Sequence, residues 1–482
     1  MSKSNDGTGV GFASRRKFLT GAASLAVGAV GVPNAARTAD QTSRIGNAAR
    51  ETDYDVIVVG GGFAGVTAAR DCRLYGLKTL MLEARNRIGG RTFDTHWNDE
   101  HIEMGGTWVH WVQPYTWAEI QRYGLTIKQT PGAVADRLIA VADGLHTDIP
   151  YSKVSAEISA AADRYFFDAR DAWERPWDTH FNWNQLVAKD KITTLDRLNA
   201  TKMSKVARTV LEATMEVCTH SRIDRGSYLE IARWYALGGW SFGLYSDAIE
   251  RYQIAEGTGE LAKRMLAQGN PDVHLSSPVS RIEQRDGAVI VKTPNATYGA
   301  KAIILALPMN CLANIEFAPA LAEGKIAASK ERHSAVGMKF YAEVKGRHGN
   351  VMMVAPYKFG AGYCFTYHEK RDSTIFVCFG SNPDAFDPND EESVQKVMRQ
   401  FIPDAEVLAC TSYSWLADPF SLGTYCSFKP GKVTRWFDVL RRQEGRIYMA
   451  GSDVAEGWRG FIDGAIATGA RAATQVATDL KS

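Results

Sequence analysis

Three glycines and one acid carry the first recognisable chemistry in this chain. Gly60, Gly62 and Gly65 follow the apolar run Val56-Ile-Val-Val59 at G-x-G-x-x-G spacing, and Glu83 closes the next apolar run. Each glycine has its own task. Gly60 allows a tight turn, Gly62 lets the backbone approach a pyrophosphate, and Gly65 lets a helix pack close to a sheet. A carboxylate at Glu83 can accept hydrogen bonds from both ribose hydroxyls and repels a 2′-phosphate, which favours FAD or NAD over NADP. To hold these groups the chain must form a buried parallel strand over 55–60 and a helix over 66–75. The N-terminal N–H groups of that helix, and its positive dipole end, then face the phosphate. Gly76 ends the helix, and a second strand follows over 78–82.

The next residues separate the two dinucleotides. In Ala84-Arg-Asn-Arg-Ile-Gly-Gly-Arg-Thr92, Gly89 and Gly90 offer bare backbone N–H groups, and Arg91 offers a bidentate fork for phosphate oxygens. Glu83-Ala84-Arg85 with Gly89-Gly90-Arg91 resembles the second FAD-pyrophosphate signature of the flavin-containing amine oxidases. That family includes monoamine oxidase, polyamine oxidase and L-amino-acid oxidase. Glu103-Met-Gly-Gly-Thr-Trp108 resembles the family segment that passes close to the isoalloxazine.

The resemblance implies an α/β fold: a Rossmann-like FAD-binding domain of monoamine oxidase type, with an interleaved substrate domain of antiparallel sheet plus helices. It assigns 51–115, 251–315 and 425–482 to the FAD-binding domain, and 116–250 and 316–424 to the substrate domain. The implied cofactor contacts begin at Gly60, Gly62, Phe63, Ala64 and Gly65, then Glu83, Ala84, Arg85, Gly90 and Arg91. Gly106, Thr107 and Trp108 follow, and Val279 sits where a backbone amide and carbonyl grip adenine. Gly451, Ser452, Asp453, Gly460, Phe461 and Ile462 complete the set. The last helix would set its N-terminus near the flavin pyrimidine carbonyl, where the dipole stabilises negative charge.

Three residues are implied at the reacting centre. Lys339, in Met338-Lys-Phe-Tyr-Ala-Glu-Val344, reads from spacing alone as a solvent-facing strand lysine. The resemblance makes it the lysine that holds a water against flavin N5. Tyr425 and Phe461 fall on the two aromatic positions that form a slot for the substrate amine, although many relatives have tyrosine where Phe461 stands. Such faces orient a neutral amine and favour the positive charge that develops as hydride leaves. Thr424 stands where monoamine oxidases attach FAD through a cysteine. Cys426, one residue past Tyr425, points to the other face if this stretch is a strand. Non-covalent FAD is therefore expected.

The N-terminus reads differently. Ser14-Arg-Arg-Lys-Phe-Leu19, followed by a glycine- and alanine-rich apolar stretch to Val32, has the form of a twin-arginine export signal, with 1–50 as signal and linker. Periplasmic localisation of a protein exported already folded is the expectation. Residues 1–50 carry seven Lys or Arg against two Asp, a net +5 in a chain of net +2, so the remainder is slightly acidic. Nothing in that balance suggests nucleic-acid binding. The seven cysteines form no C-x-x-C pair and read as buried small hydrophobes, and the ten histidines show no metal-ligand spacing.

With 45% hydrophobic residues over 482 positions, the chain can bury two cores. Apolar spacing of three and four predicts helices over 155–173 and 203–220 in a mostly helical insertion from Tyr151 to about Asp247. The nucleotide domain then resumes with a helix over 260–268 and strands over 274–277, 279–285, 288–293 and 302–308. Period-two alternation predicts a second, antiparallel sheet from strands over 338–344, 351–354, 373–379 and 406–413.

The turns at 60–65, 105–111 and 417–423, with the twin-arginine segment, most resemble the subgroup of bacterial nicotine- and pseudooxynicotine-oxidising enzymes. That implies oxidation of a small secondary or tertiary amine by hydride transfer from its α-carbon to flavin N5, then hydrolysis of the iminium. No general base is assigned. Three rivals stay open: an L-amino-acid oxidase, which needs an arginine for the carboxylate; a polyamine oxidase, which needs acids along its tunnel; and a flavin-binding electron-transfer protein without amine turnover. Oxygen and a periplasmic redox protein are both open as acceptor, and a homodimer is compatible with the chain.

Overall fold

Four consecutive apolar side chains, Val56 to Val59, are buried on both faces of the strand Tyr54–Val59, which places it inside a parallel sheet. The computed structural model describes residues 53–481, so the twin-arginine segment lies outside the described residues. Tyr54–Val59 sits between Thr79–Leu82 and Thr297–Leu305, parallel to both. The eight-stranded sheet around it runs in the order Asp272–His274, Thr79–Leu82, Tyr54–Val59, Thr297–Leu305, Ala288–Lys292, Arg281–Arg285, Glu316–Ala318, and Ile447–Met449 also pairs with Thr297–Leu305.

The helix after the glycine turn spans Phe63–Leu74, three residues earlier than the sequence suggests. Gly62, extended at φ −74° and ψ 177°, is its N-cap, and Val66 N–H already donates to Gly62 O. The turn is thus tighter than a helix start at Val66 requires. Thr297–Leu305 begins earlier than expected and stops before Pro308, which has no N–H to give a ladder. The closing helix Ile462–Asp479 packs on Phe63–Leu74 so closely that a Cβ at Gly469 would lie 2.3 Å from Ala64 O.

The second sheet departs from expectation. It has seven strands, in the order Val407–Ser412, Met338–Lys345, Ser373–Gly380, Tyr363–Glu369, Val351–Val354, Arg137–Ala142, Leu145–Pro150. It is mixed rather than antiparallel, because Val351–Val354 runs parallel to Arg137–Ala142. The two additional strands, at one end of this sheet, form a hairpin around Asp143-Gly144, with Gly144 at φ +61°, a turn signal that precedes the helical insertion. Tyr363–Glu369 is a further strand that period-two alternation does not predict, since its run is apolar rather than alternating.

Within the insertion the stretch expected as one helix over 155–173 is two, Ser155–Tyr165 and Ala169–Ala172. Lys205–Thr219 starts on a Ser204 cap and ends at His220, which is left-handed at φ 50°. Among the described residues no helix is long and apolar enough to cross a membrane, and all seven cysteines are free, six of them buried.

Candidate active site

The two glycine turns meet back to back. Gly89 N–H donates to Gly61 O at 2.9 Å, and a Cβ on Gly90 would lie 3.0 Å from Gly62 Cα. A Cβ on Gly65 would lie 1.8 Å from Gly60 O, so only glycine lets the helix approach the strand. The helix begins with no side-chain cap and no acid in its first turn, so its N-terminal N–H groups and dipole are available to an anion. Gly62, Phe63 and Ala64 line a cavity of about 510 Å³ at this point.

Glu83, also on the wall, is fixed rather than loose. Its Oε2 accepts from Gly61 N–H at 2.5 Å and its Oε1 from Arg85 N–H at 2.8 Å. Ser277 N–H donates to Glu83 O at 2.8 Å, which ties the segment carrying Val279 to the same wall. Ala84, Gly90, Gly106, Thr107, Gly451, Ser452, Gly460 and Ile462 also line the cavity. Gly65 and Asp453 do not: the first is the helix–strand contact, and the second lies beneath the surface.

The two arginines differ from expectation. Arg91 does line the cavity, but its guanidinium is not a free fork for phosphate. It donates to Thr424 O at 2.8 Å and Ser452 Oγ at 2.7 Å, and pairs with Asp453. Burial alone would raise the Asp453 carboxyl, yet Arg91 holds it below the usual range. Arg85 grips Asp418 through two nitrogens, at 3.2 and 2.7 Å, and reaches Ser421 Oγ at 2.8 Å. Both cations therefore stitch distant chain segments around the cradle, and the donors left to hold a phosphate would be chiefly backbone N–H groups.

The reacting region takes shape from other elements. Lys339 is buried, not solvent-facing. Its Nζ donates to Glu103 O at 2.5 Å, Gly105 O at 3.1 Å and Thr107 Oγ1 at 2.6 Å, and lies 4.9 Å from the Trp108 ring centroid. Those three acceptors use all three donors of an ammonium group. In this geometry Lys339 pins the 103–107 turn and has no donor left for a water. Burial pulls its pKa down to about 7, against the opposing pull of Glu103. Glu103 is itself buried and raised, with Lys339 opposing that rise.

Tyr425 and Phe461 both line the cavity, and the stretches that carry them meet at Gly460, where a Cβ would lie 2.8 Å from Cys426 O and 3.6 Å from Tyr425 Cβ. The stretch around Tyr425 is irregular rather than a strand, yet Cys426 is buried away from the cavity while Thr424 lines it. The Tyr425 ring stacks on His220 at 4.9 Å and 7°, and its hydroxyl donates to Val217 O. Burial lowers the His220 pKa to about 4. The neutral ring donates from Nε2 to Met338 O at 3.1 Å and accepts at Nδ1 from Thr424 at 2.8 Å. Phe461 meets Trp234 edge-on at 4.7 Å and 80°, and Trp234 also reaches Tyr425 at 6.3 Å.

Sequence reading missed His220, Trp234, Glu250, Tyr363 and Phe365, all on the cavity wall. They come from helices and a strand far apart in the chain, and each looks like an ordinary core residue in its own segment. The one available hint was the run of aromatic residues in Tyr363–Glu369.

Fit to a flavin dinucleotide rests on three features: a glycine cradle that any Cβ would fill, unpaired helix N-terminal donors, and a fixed carboxylate at the ribose position. The comparisons agree. A family model for flavin-containing amine oxidoreductases matches residues 63–477. Pseudooxynicotine dehydrogenase of a Pseudomonas species is 37% identical over 478 residues, covering 97% of this chain and 96% of that protein. Nicotine dehydrogenase of Pseudomonas putida is 36% identical over 475 residues, covering 97% and 98%. Among solved structures, wild-type putrescine oxidase bound to putrescine superposes with a TM-score of 0.76 at 21% identity, covering 88% of this chain and 99% of that one. A glycine cradle that fits a flavin, aromatic residues on the same cavity wall and relatives over nearly the whole length lead to one assignment: the chain belongs to the flavin-containing amine oxidoreductases.

Proposed function

We propose that the protein oxidises a small secondary or tertiary amine of the pyridine-alkaloid type, with FAD bound non-covalently. The observation that carries this reading is that Tyr425 and Phe461, both packed against Trp234, line the same cavity as the glycine cradle. Bound FAD supplies the two-electron acceptor. The protein's own part is to orient and desolvate the amine. Tyr425 is held by His220 and Val217 O, and Phe461 by Trp234, so the two rings are fixed before substrate arrives. Fixed faces align the α-carbon hydrogen and favour the cation that forms as hydride departs. The resulting iminium is hydrolysed by water.

The names of the two Pseudomonas relatives support a nicotine-like substrate. The amino-acid reading loses support. The arginines on the cavity wall, Arg85 and Arg91, are both paired at the cradle, and Arg122 lies on an exposed helix face beside Glu119. Thr424 before Tyr425 supports non-covalent FAD, and Ser14 to Leu19 supports periplasmic export by the twin-arginine route.

The test is anaerobic. Oxidised-flavin absorbance is followed while nicotine, pseudooxynicotine, a polyamine and an amino acid are added separately. Rapid bleaching by a pyridine alkaloid alone is expected, and bleaching by another amine alone overturns the substrate. Admitting air to the reduced protein then distinguishes oxygen from a redox protein as acceptor.

A further inference from the structure

The helix Phe242–Glu250 ends on the cavity wall with a carboxyl group that the reaction above leaves without a task. Glu250 is 6% exposed. Its Oε2 accepts from the Tyr363 hydroxyl at 2.7 Å, and its Oε1 has no hydrogen-bond partner among the described residues. A carboxyl buried this deeply is normally paired with a cation. Here the facing groups are the Tyr363 hydroxyl, the Tyr151 hydroxyl and the Cys218 thiol, with Asp247 one turn back on its own helix. Burial, strengthened by Asp247, pushes its pKa up to about 8, so near neutral pH it holds a proton to donate. Tyr363 is raised well above 10 and keeps its own proton.

The surroundings are flat and aromatic. Phe365 packs edge-on against Tyr363 at 5.8 Å, and Trp108 touches Phe365 and Phe379 at 5.7 and 5.8 Å. The link to the reacting pair is short. Val217, whose carbonyl accepts from Tyr425, is followed by Cys218, whose sulfur accepts from Tyr245 on the Glu250 helix.

We propose that Glu250, held by Tyr363, anchors the far end of the substrate by donating a hydrogen bond to the ring nitrogen of a heteroaromatic group seated among Trp108, Phe365 and Phe379. This rests on the pyridine-alkaloid reading and adds the group that selects for the pyridine. A site with a buried donor discriminates against a ligand that lacks the matching acceptor, because the donor is then left unpaired.

The test uses the flavin-loaded protein and three amines: pseudooxynicotine, the isostere in which benzene replaces pyridine, and putrescine. Apparent Kd and limiting rate of anaerobic flavin reduction are measured for each. Wild type is expected to bind the pyridyl amine about tenfold or more tightly than the phenyl amine. Glu250→Gln, which keeps a donor, should retain that preference. Glu250→Leu should erase it. Tyr363→Phe, which frees the carboxyl without removing it, should fall between, and serves if the leucine variant does not hold flavin. A preference that survives unchanged in Glu250→Leu or Tyr363→Phe overturns the anchor alone. Tighter binding of putrescine than of either ring compound also overturns it, since the carboxyl would then be acting as an anion. Failure of both ring compounds to reduce wild-type flavin overturns the anchor and the alkaloid reading together.

Discussion

The two parts of the cavity wall are made of different material. The part assigned to the cofactor is chiefly backbone: Gly60, Gly62, Gly89-Gly90 and a helix N-terminus, with Glu83 held by main-chain N–H groups. The substrate part is side chains, with Tyr425, Phe461, Trp234, Tyr363 and Glu250 arriving from separate helices, strands and loops. Backbone recognition tolerates no added atom, whereas an apolar side-chain wall can change its occupant residue by residue. Under the proposed function, the first part would be fixed by the shape of the cofactor and the second would be where substrate choice resides.

That contrast is open to test. The largest effect belongs to Gly65→Ala, whose methyl has no room beside Gly60 O. Flavin content per protein, read from absorbance, should fall by about 10²-fold or more, matching the upper end of an overpacking cost of about 1–3 kcal/mol. Normal flavin content in this variant would break the comparison. Next is Lys339→Met, which releases the 103–107 turn. Flavin should stay bound while anaerobic reduction slows by about 10²-fold, the effect of misplacing a reacting group by about 1 Å.

The same lysine makes a pH prediction. Its folded pKa of about 7 lies below the 10.5 of a free lysine. Between those values the unfolded chain binds more protons, so stability should rise with pH across that window. The penalty is full below pH 7 and gone above 10.5. Melting temperature measured against pH should therefore climb more steeply in wild type than in Lys339→Met, and parallel curves would contradict the buried assignment. Tyr425→Leu should lower substrate affinity or rate by about tenfold, the loss of about 1.5 kcal/mol of aromatic interaction, with flavin content unchanged. Phe461→Tyr should be smallest, within about threefold in reduction rate, because the ring is kept.

The same division explains what could be read in advance. Glycines at fixed spacing between a strand and a helix mark the cradle because the local strand–helix approach demands one of them outright: a Cβ on Gly65 would lie 1.8 Å from Gly60 O. Lys339 was visible as a position, but its burial was not, since period-two alternation does not tell which face of a strand is covered. Nor was the engagement of Arg91 with Asp453 legible, as it joins segments that only the folded sheet brings together. Glu250 had no signal at all. A lone acid at the end of a helix, next to Arg251, looks like a solvated cap until Tyr363 and the cavity are seen beside it.

The central strand Thr297–Leu305 touches the first strand of the sheet on one side and Ile447–Met449 on the other, and the closing helix rests on Phe63–Leu74. A ribosome adds about 5–20 residues per second, so roughly 20–80 s separate the emergence of Glu83 from that of Ile462. Thr79–Leu82 is already out at the start of that interval and Thr297–Leu305 joins partway through it, but the closing helix is missing until its end. Flavin capture is accordingly a late event in the life of the chain, and a nascent protein stalled before Ile462 has every glycine of the cradle and nothing that closes it.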